Sequence, residues 1–335
     1  MVRSFKLSYD VGAASDWFEP TYSVDLASRA ESAGFYSVWV QDHFLPWYHD
    51  HAHCPQSWIW MSSAAASTRR AKIASGVTVP IIRYHPAVVA QSFATLGSLY
   101  PGRILLGVGS GEAMNEVPFT ESFPRWKVRF EMLIEAVKLI RMYWTSEDYF
   151  TFEGKYFGLR NAFCYDKPRA PVPIYFSAYG PKGAYLAGQH ADHLLTWGLD
   201  LDYMRKTIFP RFEEGARAAG KNPREMEKAI YLDFAFGERR RVIEHIRRSS
   251  AAWLLPKNYD EPDPRRIQAS ASAVTEEMIQ SKVFVTDRAG ALLDFLERYS
   301  SLREVGHVIL SDSSPDPRAT LSMMGTRVIP QLRSR

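Results

Sequence analysis

The chain lacks the features that mark several classes of protein. Its 335 residues include only two cysteines, Cys54 and Cys164, which are too few for a disulfide framework. No stretch approaches about 18 consecutive apolar residues, so we expect no membrane-spanning helix. The segment 1–15 lacks the long apolar run of a signal peptide. Together these absences favour a cytoplasmic protein.

Charge is also sparse. The net charge is +4, and the 46% apolar and 23% charged residues are typical of a globular chain rather than a disordered one. The densest basic runs, Arg239–Arg241 and Arg247–Arg248, have helix-like spacing. A solvated helix face is favoured over an anion site, because a nucleic-acid binder would carry a basic stripe along one face. We therefore expect no nucleic-acid partner.

Short β-branched runs alternate with amphipathic helical segments along the chain. Strands that are apolar on both faces and separated by helices are typical of a parallel sheet. The eight predicted strands are 5–9, 36–40, 72–80, 103–108, 172–176, 193–196, 229–236 and 307–310. Eight such units in one chain predict an α/β fold, a (β/α)8 TIM barrel.

We expect one domain, 1–335, with two insertions. They follow the fourth and seventh predicted strands, at approximately 115–172 and 237–305. The first contains a predicted helix over 126–144 and then a hairpin-like piece, YFTFEGKYFGL; the second contains a polar linker at 257–266. Long insertions in a barrel decorate the carboxyl ends of the strands, so we expect both to shape a substrate site.

Candidate catalytic residues follow two of the predicted strands. Asp42 and His43 come directly after the second strand; an imidazole titrates near neutral pH, and a carboxylate can orient it as a general base. The other interpretation is a histidine that caps a loop. After the fourth strand comes GVGSGEAMNE, where a carboxylate, Glu112, follows closely spaced glycines. This stretch can let a ligand approach the backbone, or it can be a tight turn at the barrel rim.

One further stretch suggests a metal. Residues 49–54 read HDHAHC, and alternating histidines on an extended segment could point the same way, with a soft cysteine beside them. Nothing downstream supplies matching ligands in a recognisable motif. We therefore expect a polar loop at the mouth of the site and no metal.

Six stretches have counterparts in one known superfamily. They are 40–47 (VQDHFLPW), 76–77 (GV), 83–91 (RYHPAVVAQ), 100–103 (YPGR), 107–116 (GVGSGEAMNE) and 177–181 (SAYGP). Together they resemble the luciferase-like, or bacterial-luciferase, superfamily of flavin and deazaflavin oxidoreductases. Within it the chain resembles the branch that uses coenzyme F420, including secondary-alcohol and glucose-6-phosphate dehydrogenases.

The resemblance implies a barrel with the deazaflavin ring across its carboxyl-terminal mouth. It implies that His43 removes the hydroxyl proton while hydride passes to C5 of the deazaflavin. Trp47 would line the substrate pocket, and Glu112 would handle the proton at the N1 end of the ring. Gly76 and Val77 would form a non-proline cis peptide that bulges behind the ring.

The resemblance also implies a set of cofactor contacts. Asp42 would hold the polar edge of the ring, and other residues would contact the ring or the phosphate tail. The implied cofactor-binding residues are Asp42, Gly76, Val77, Ser110, Gly111, Asn115, Ser177, Ala178 and Gly180.

The substrate side departs from the sugar-phosphate members. These carry a lysine after the sixth strand, at the position of Leu199 and close to Thr196. Lys257 and Lys282 lie roughly where two further phosphate-binding cations would be. A phosphate dianion in a partly buried pocket needs strong cationic partners. The substitution by leucine therefore favours an uncharged alcohol.

The sequence thus predicts an F420-dependent dehydrogenase that transfers hydride between an alcohol and the deazaflavin. The alternatives are a sugar-6-phosphate dehydrogenase with the same cofactor and an FMN-dependent luciferase-like monooxygenase; a non-catalytic flavin- or deazaflavin-binding protein is disfavoured by the paired His43 and Glu112. Members of the branch are commonly dimers, so we expect a homodimer.

Overall fold

Eight parallel strands form a closed barrel in the computed structural model, which describes residues 5–12, 17–302 and 304–334. The barrel strands are β1 (Lys6–Asp10), β2 (Ser37–Val40), β3 (Lys72–Thr78), β4 (Ile104–Val108), β7 (Ile174–Ser177), β8 (His193–Trp197), β9 (Lys228–Phe236) and β11 (His307–Asp312). They pair in this order, and β11 pairs with β1 to close the barrel. The predicted (β/α)8 barrel is confirmed.

Helices surround the barrel and separate its strands. They are α1 (Pro20–Ala33), α2 (Ser57–Ser67), α3 (Pro86–Leu99), α4 (Ala113–Glu116), α5 (Trp126–Thr145), α6 (Pro181–His190), α7 (Leu201–Tyr203), α8 (Phe209–Ala218), α9 (Arg239–Ser249), α10 (Pro264–Ser270), α11 (Glu276–Lys282), α12 (Ala289–Ser300), α13 (Pro317–Met323) and α14 (Ile329–Ser334). Local signals set their ends. Helix α1 starts on a proline and stops at Gly34, whose φ of 103° is left-handed and whose N–H donates to the last turn.

The barrel interior is packed with side chains rather than open. Trp39 meets Tyr175 and Tyr231 edge to face, with ring centroids 5.4 and 5.9 Å apart, and all three side chains are buried. Alternate residues of each strand supply this interior, as expected for a barrel of this size. A ligand therefore has access only at the mouth, where the strands end.

The region between β4 and β7 contains the predicted helix as α5 and the predicted hairpin as two antiparallel strands. These are β5 (Phe150–Glu153) and β6 (Gly158–Ala162).

The region between β9 and β11 differs from the prediction. It contains an unpredicted strand, β10 (Val283–Thr286), which pairs with the carboxyl-terminal half of β9. The segment 257–266, predicted as a polar linker, lies partly in a 3-10 turn, Pro256–Asp260, and partly in α10. Apolar side chains from α9, α11 and β10 form a separate small core here.

Helix α9 carries the arginine runs on its solvent side. Its buried residues are Val242, Ile243, Ile246 and Ser249, and the arginines are exposed. The predicted solvated face is confirmed. None of the helices in the described ranges has both the length and the apolar character needed to cross a bilayer.

Candidate active site

His43 and Glu112 meet at the mouth of the barrel. His43 lies just past the end of β2, and Glu112 precedes α4, just past the end of β4. The His43 Nε2 atom is 3.8 Å from the Glu112 Oε2 atom, with 12% of the histidine and 26% of the glutamate side chain exposed. The two sequence-predicted proton-transfer residues are therefore brought together at an opening.

Burial disfavours the charged form of each group, so it lowers the pKa of the histidine and raises the pKa of the glutamate. Burial, and then the positive charge of Arg83, lower the pKa of His43 to about 3, so the imidazole is neutral near pH 7. Burial, and then the charge of Glu116, raise the pKa of Glu112 to about 7. The site thus pairs a neutral imidazole, able to accept a proton, with a carboxyl group that can hold one.

Asn115 fixes the loop that carries His43. Its Oδ1 atom accepts the backbone N–H of Phe44 at 2.7 Å and that of Leu45 at 3.3 Å. Its Nδ2 atom donates to Glu112 Oε2 at 3.3 Å. Asn115 is buried, and its amide is committed to these contacts. These hydrogen bonds tie Asn115 to the His43 loop, and its expected contact with the cofactor stays a prediction.

Asp42 also has a partner within the protein, Arg83. Its carboxylate pairs with the Arg83 guanidinium at 2.9 Å, with 0% of the aspartate and 3% of the arginine side chain exposed. The same guanidinium donates to the carbonyl oxygen of Asp42 at 2.8 Å. The expected contact of this carboxylate with the ring edge stays a prediction. Sequence reasoning missed Arg83, although it stands in the RYHPAVVAQ motif.

The expected non-proline cis peptide is present between Gly76 and Val77. The register between β3 and β4 shifts at the same place, between Ser75 and Thr78, so the strand bulges. A Cβ at Gly109 would lie 2.5 Å from the side chain of Val77, so only glycine fits against the bulge. Val77 is partly exposed beside this bulge.

The glycine-rich turn after β4 is open at two residues. Ser110 and Gly111 are both partly exposed, and the φ of 82° at Gly111 is left-handed. On the other side of the mouth, Gly180 is the residue before α6, and a Cβ there would meet no atom within 4 Å. Open backbone at the start of a helix suits a phosphate.

The neighbours of Gly180 are less open. Ser177 is buried, and its hydroxyl donates to the Tyr179 hydroxyl at 3.1 Å. Ala178 is buried in the main core, and its N–H donates to Leu195 O. Gly180 is therefore the most open of the three, and the expected cofactor contacts of Ser177, Ala178 and Gly180 stay predictions.

Four residues were expected on the substrate side. Thr196 is buried between Leu195 and Trp197, which both face the barrel interior, so its own side chain faces outward. The expected contact of Thr196 with the substrate stays a prediction.

The other three residues lie on the mouth side of the fold or on its surface. Leu199 is partly buried against apolar neighbours. Lys257, in the Pro256–Asp260 turn, and Lys282, at the end of α11, are both exposed. Neither lysine has the burial expected of a phosphate-binding cation.

An aromatic wall stands beside His43. The Trp47 ring is edge-on to the His43 ring at 6.3 Å and to the Tyr259 ring at 5.4 Å. Trp253 packs against the apolar cluster that contains Trp47, and its ring centroid lies 5.8 Å from that of Trp197. Sequence reasoning missed Tyr259 and Trp253, since they lie in the second insertion, outside every motif.

A second carboxyl group lies beneath this wall. Asp233 is buried at the mouth end of β9 and accepts the indole N–H of Trp197. Burial raises its pKa to about 8, with a further rise from the nearby Asp10. Burial is the largest cause that raises the pKa values of Tyr179 and Tyr259, and the charges of Glu112 and Asp233 raise them further. The carboxyl groups of Glu112 and Asp233 therefore act on the same two tyrosines.

The histidine-rich loop 49–54 packs against the second insertion. The backbone N–H groups of His49 and Asp50 donate to Gln268 Oε1 at 2.8 and 3.0 Å. Within the described part of the chain, no group of three or more histidine, cysteine or acidic side chains is placed to hold a metal ion.

Comparison with known proteins agrees with this architecture. The chain is 38% identical to the F420-dependent glucose-6-phosphate dehydrogenase of Nakamurella multipartita, over 96% of this chain and 95% of that protein. It is 40% identical to the structure of an F420-dependent secondary alcohol dehydrogenase in complex with an F420-acetone adduct, with a TM-score of 0.92 and coverage of 98% and 99%.

The coenzyme F420-dependent tetrahydromethanopterin reductase of Methanopyrus kandleri has the same fold, with a TM-score of 0.71, 20% identity and coverage of 98% and 99%. The sequence model of the luciferase-like monooxygenase family matches residues 2–303. This match covers most of the sequence, and the chain therefore belongs to the luciferase-like family.

Proposed function

We propose that this chain is a coenzyme F420-dependent dehydrogenase that oxidises the hydroxyl group of a non-phosphorylated alcohol. One observation carries the proposal. His43 Nε2 and Glu112 Oε2 lie 3.8 Å apart at the barrel mouth, one neutral and the other able to hold a proton near pH 7. The names of the most similar relatives support the cofactor and the dehydrogenase class.

The residues at the mouth fit a flat deazaflavin with a phosphate-bearing tail. The bulge at Gly76–Val77 offers a shelf for a ring, and Gly109 lets the neighbouring strand approach it closely. Ser110 and Gly111 border the shelf, and the open backbone of Gly180 before α6 suits the tail phosphate. When bound, the deazaflavin supplies a carbon, C5, that accepts hydride and forms no oxygen adduct.

The side chains then divide the proton transfers. The Nε2 atom of His43 takes the proton from the substrate hydroxyl as hydride leaves the carbinol carbon. With the cofactor bound, the Glu112 carboxyl group would supply the proton that the N1 end of the ring takes up together with the hydride. Each positioned acid or base contributes on the order of 10²–10⁴-fold to the rate. The buried Trp47 ring, which packs edge-on against both His43 and Tyr259, shields the reacting hydroxyl on that side.

The composition of the chamber supports an uncharged alcohol. Its walls are the aromatic rings of Trp47, Tyr259 and Trp253, with Leu199 apolar as well. Asp233 and Glu112 bring carboxyl groups and no positive charge to this site, so neither can balance a phosphate dianion. An apolar wall with few polar groups is typical of a site for a small neutral ligand.

The second candidate is a glucose-6-phosphate dehydrogenase. Its support is the name shared by relatives 33% to 38% identical to this chain. That activity requires cations in the chamber. Lys257 and Lys282 would have to turn inward from their exposed positions to provide them.

The test is a titration of the apoprotein with oxidised F420, FMN and NADP in parallel, followed by tryptophan fluorescence. We expect F420 to quench the signal, because Trp47 lies beside His43. The quench should be lost in Trp47→Phe and kept in Trp144→Phe, whose indole N–H bonds to Ala90 on the outer layer. Tight binding of FMN without binding of F420 would contradict the proposal and favour the monooxygenase.

A further inference from the structure

A second glutamate, Glu116, is buried next to the active site. It ends α4, four residues after Glu112, and none of its surface is exposed. The Glu116 N–H donates to the carbonyl oxygen of Glu112 at 3.2 Å, so the two residues lie on one turn of the chain. Gly111 leaves room for Glu116, because a Cβ at that glycine would lie 2.9 Å from Glu116 Cγ.

Glu116 also contacts the element that holds the His43 loop. Its Oε2 atom accepts the backbone N–H of Arg83 at 3.0 Å. The Arg83 side chain bonds in turn to both the carboxylate and the carbonyl of Asp42, the residue before His43. Glu116, Arg83 and Asp42 therefore form one buried polar chain behind the mouth. Glu112, whose side chain is 26% exposed, adjoins this chain through the turn that it shares with Glu116.

The charges along this chain favour ionisation of Glu116 over Glu112. The Arg83 N–H, the Arg83 charge and the Arg129 charge all lower the pKa of Glu116, whereas burial, the largest effect, raises it to about 7. No such positive charge opposes the rise in the pKa of Glu112, which comes from burial and from the charge of Glu116. Two adjacent buried carboxyl groups cannot both ionise easily, and they titrate as a pair.

We propose that Glu116 is a positioning residue that keeps Glu112 protonated near neutral pH, in readiness to donate its proton. This inference rests on the proposed function, since it concerns the acid of that same site. Its physical basis is that an ionised Glu116, held by the Arg83 N–H, repels a second negative charge at Glu112. Arg83 then acts on both sides, stabilising the charge of Glu116 and disfavouring a charge on His43.

Other titratable groups face Glu112 from the elements packed around it. They are His43 after β2, Tyr179 after β7 and Tyr259 in the Pro256–Asp260 turn. Burial lowers the pKa of His43 to about 3 and raises that of Tyr179 to about 12, and it raises the pKa of Tyr259 further. All three are therefore neutral between about pH 5 and 9. Glu116 is left as the group whose charge controls Glu112.

The variant that tests this is Glu116→Gln, which keeps an oxygen to accept the Arg83 N–H but removes the charge. In the apoprotein, the infrared band of the protonated Glu112 carboxyl, identified by its loss in Glu112→Gln, should titrate about one pH unit or more lower than in wild type. Glu116→Asp keeps the charge and should titrate close to wild type. The surface variant Glu131→Gln is the matched control and should not shift the band.

The kinetic counterpart is the pH profile of kcat/KM for alcohol oxidation, which falls as Glu112 loses its proton. In Glu116→Gln this falling limb should move to lower pH, with about a tenfold lower rate on the falling side. A lower rate at every pH with an unmoved limb and an unmoved band would show that Glu116 is only structural, and would overturn the inference. Wild-type protein that binds F420 but oxidises no alcohol would instead refute the proposed function, and the infrared titration would still report on Glu116.

Discussion

Replacing Asn115 with alanine tests the inference that this residue positions the catalytic loop. The change removes the acceptor of two backbone N–H groups, those of Phe44 and Leu45, and the donor to Glu112. Because this loop is part-buried, we expect a loss of about 1–3 kcal/mol in the free energy of unfolding. For 335 residues that is a fall of about 1–4 °C in Tm.

The loss should extend to turnover. A displacement of His43 by a fraction of an ångström to about 1 Å should lower kcat by about 10–100-fold. The Kd for F420, measured by fluorescence titration, should change little, because the amide of Asn115 faces the loop and Glu112. Differential scanning calorimetry and steady-state kinetics measure the other two effects. An unchanged Tm and kcat with about tenfold weaker F420 binding would refute the reasoning and make Asn115 a cofactor contact.

Three further changes probe the site and its buried charges. His43→Ala should lower kcat by on the order of 10²–10⁴-fold with cofactor affinity nearly unchanged; normal turnover would remove His43 as the base. Glu112→Gln should abolish the fall in alcohol-oxidation rate above about pH 7, along with most of the turnover, because the group that loses its proton there is gone. Asp233→Asn concerns stability. The folded protein holds the Asp233 proton up to about pH 8, whereas the unfolded chain loses it near pH 4. The free energy of unfolding of wild type should therefore fall as pH rises between these values. Urea unfolding of the variant should show a weaker decline over the same pH range.

Much of the fold could be predicted because its signals are local. The predicted strands are largely buried runs, and the pairing of the last of them, β11, with β1 closes the barrel. The strand β10 was missed since its four residues, VFVT, are short and only partly buried, and its pairing with β9 is non-local. The segment 257–266 reads as polar because its turn and helix bury few of its own side chains.

The site was predictable only where a motif places a residue at the mouth. His43, Glu112 and the bulge at Gly76–Val77 are at the expected positions. The positions of Asp42 and Asn115 in their motifs could not reveal that Arg83 pairs with the Asp42 carboxylate or that the backbone of the His43 loop donates to Asn115. These contacts join distant parts of the sequence: Arg83 lies 41 residues from Asp42, and Phe44 lies 71 residues from Asn115. The expected homodimer stays a prediction.

Substrate preference tests the central claim most directly. The measurement is kcat/KM for a secondary alcohol and for glucose 6-phosphate, under one set of conditions, with wild type and Leu199→Lys. We expect wild type to reduce F420 more efficiently with the alcohol, because the walls beside His43 are aromatic and the nearby carboxyl groups give a phosphate no cationic partner. Leu199→Lys should raise kcat/KM for the sugar phosphate, since one charge-assisted contact contributes about 1.5–3 kcal/mol. A wild-type preference for glucose 6-phosphate of about tenfold or more, equal to about 1.4 kcal/mol, would contradict the account.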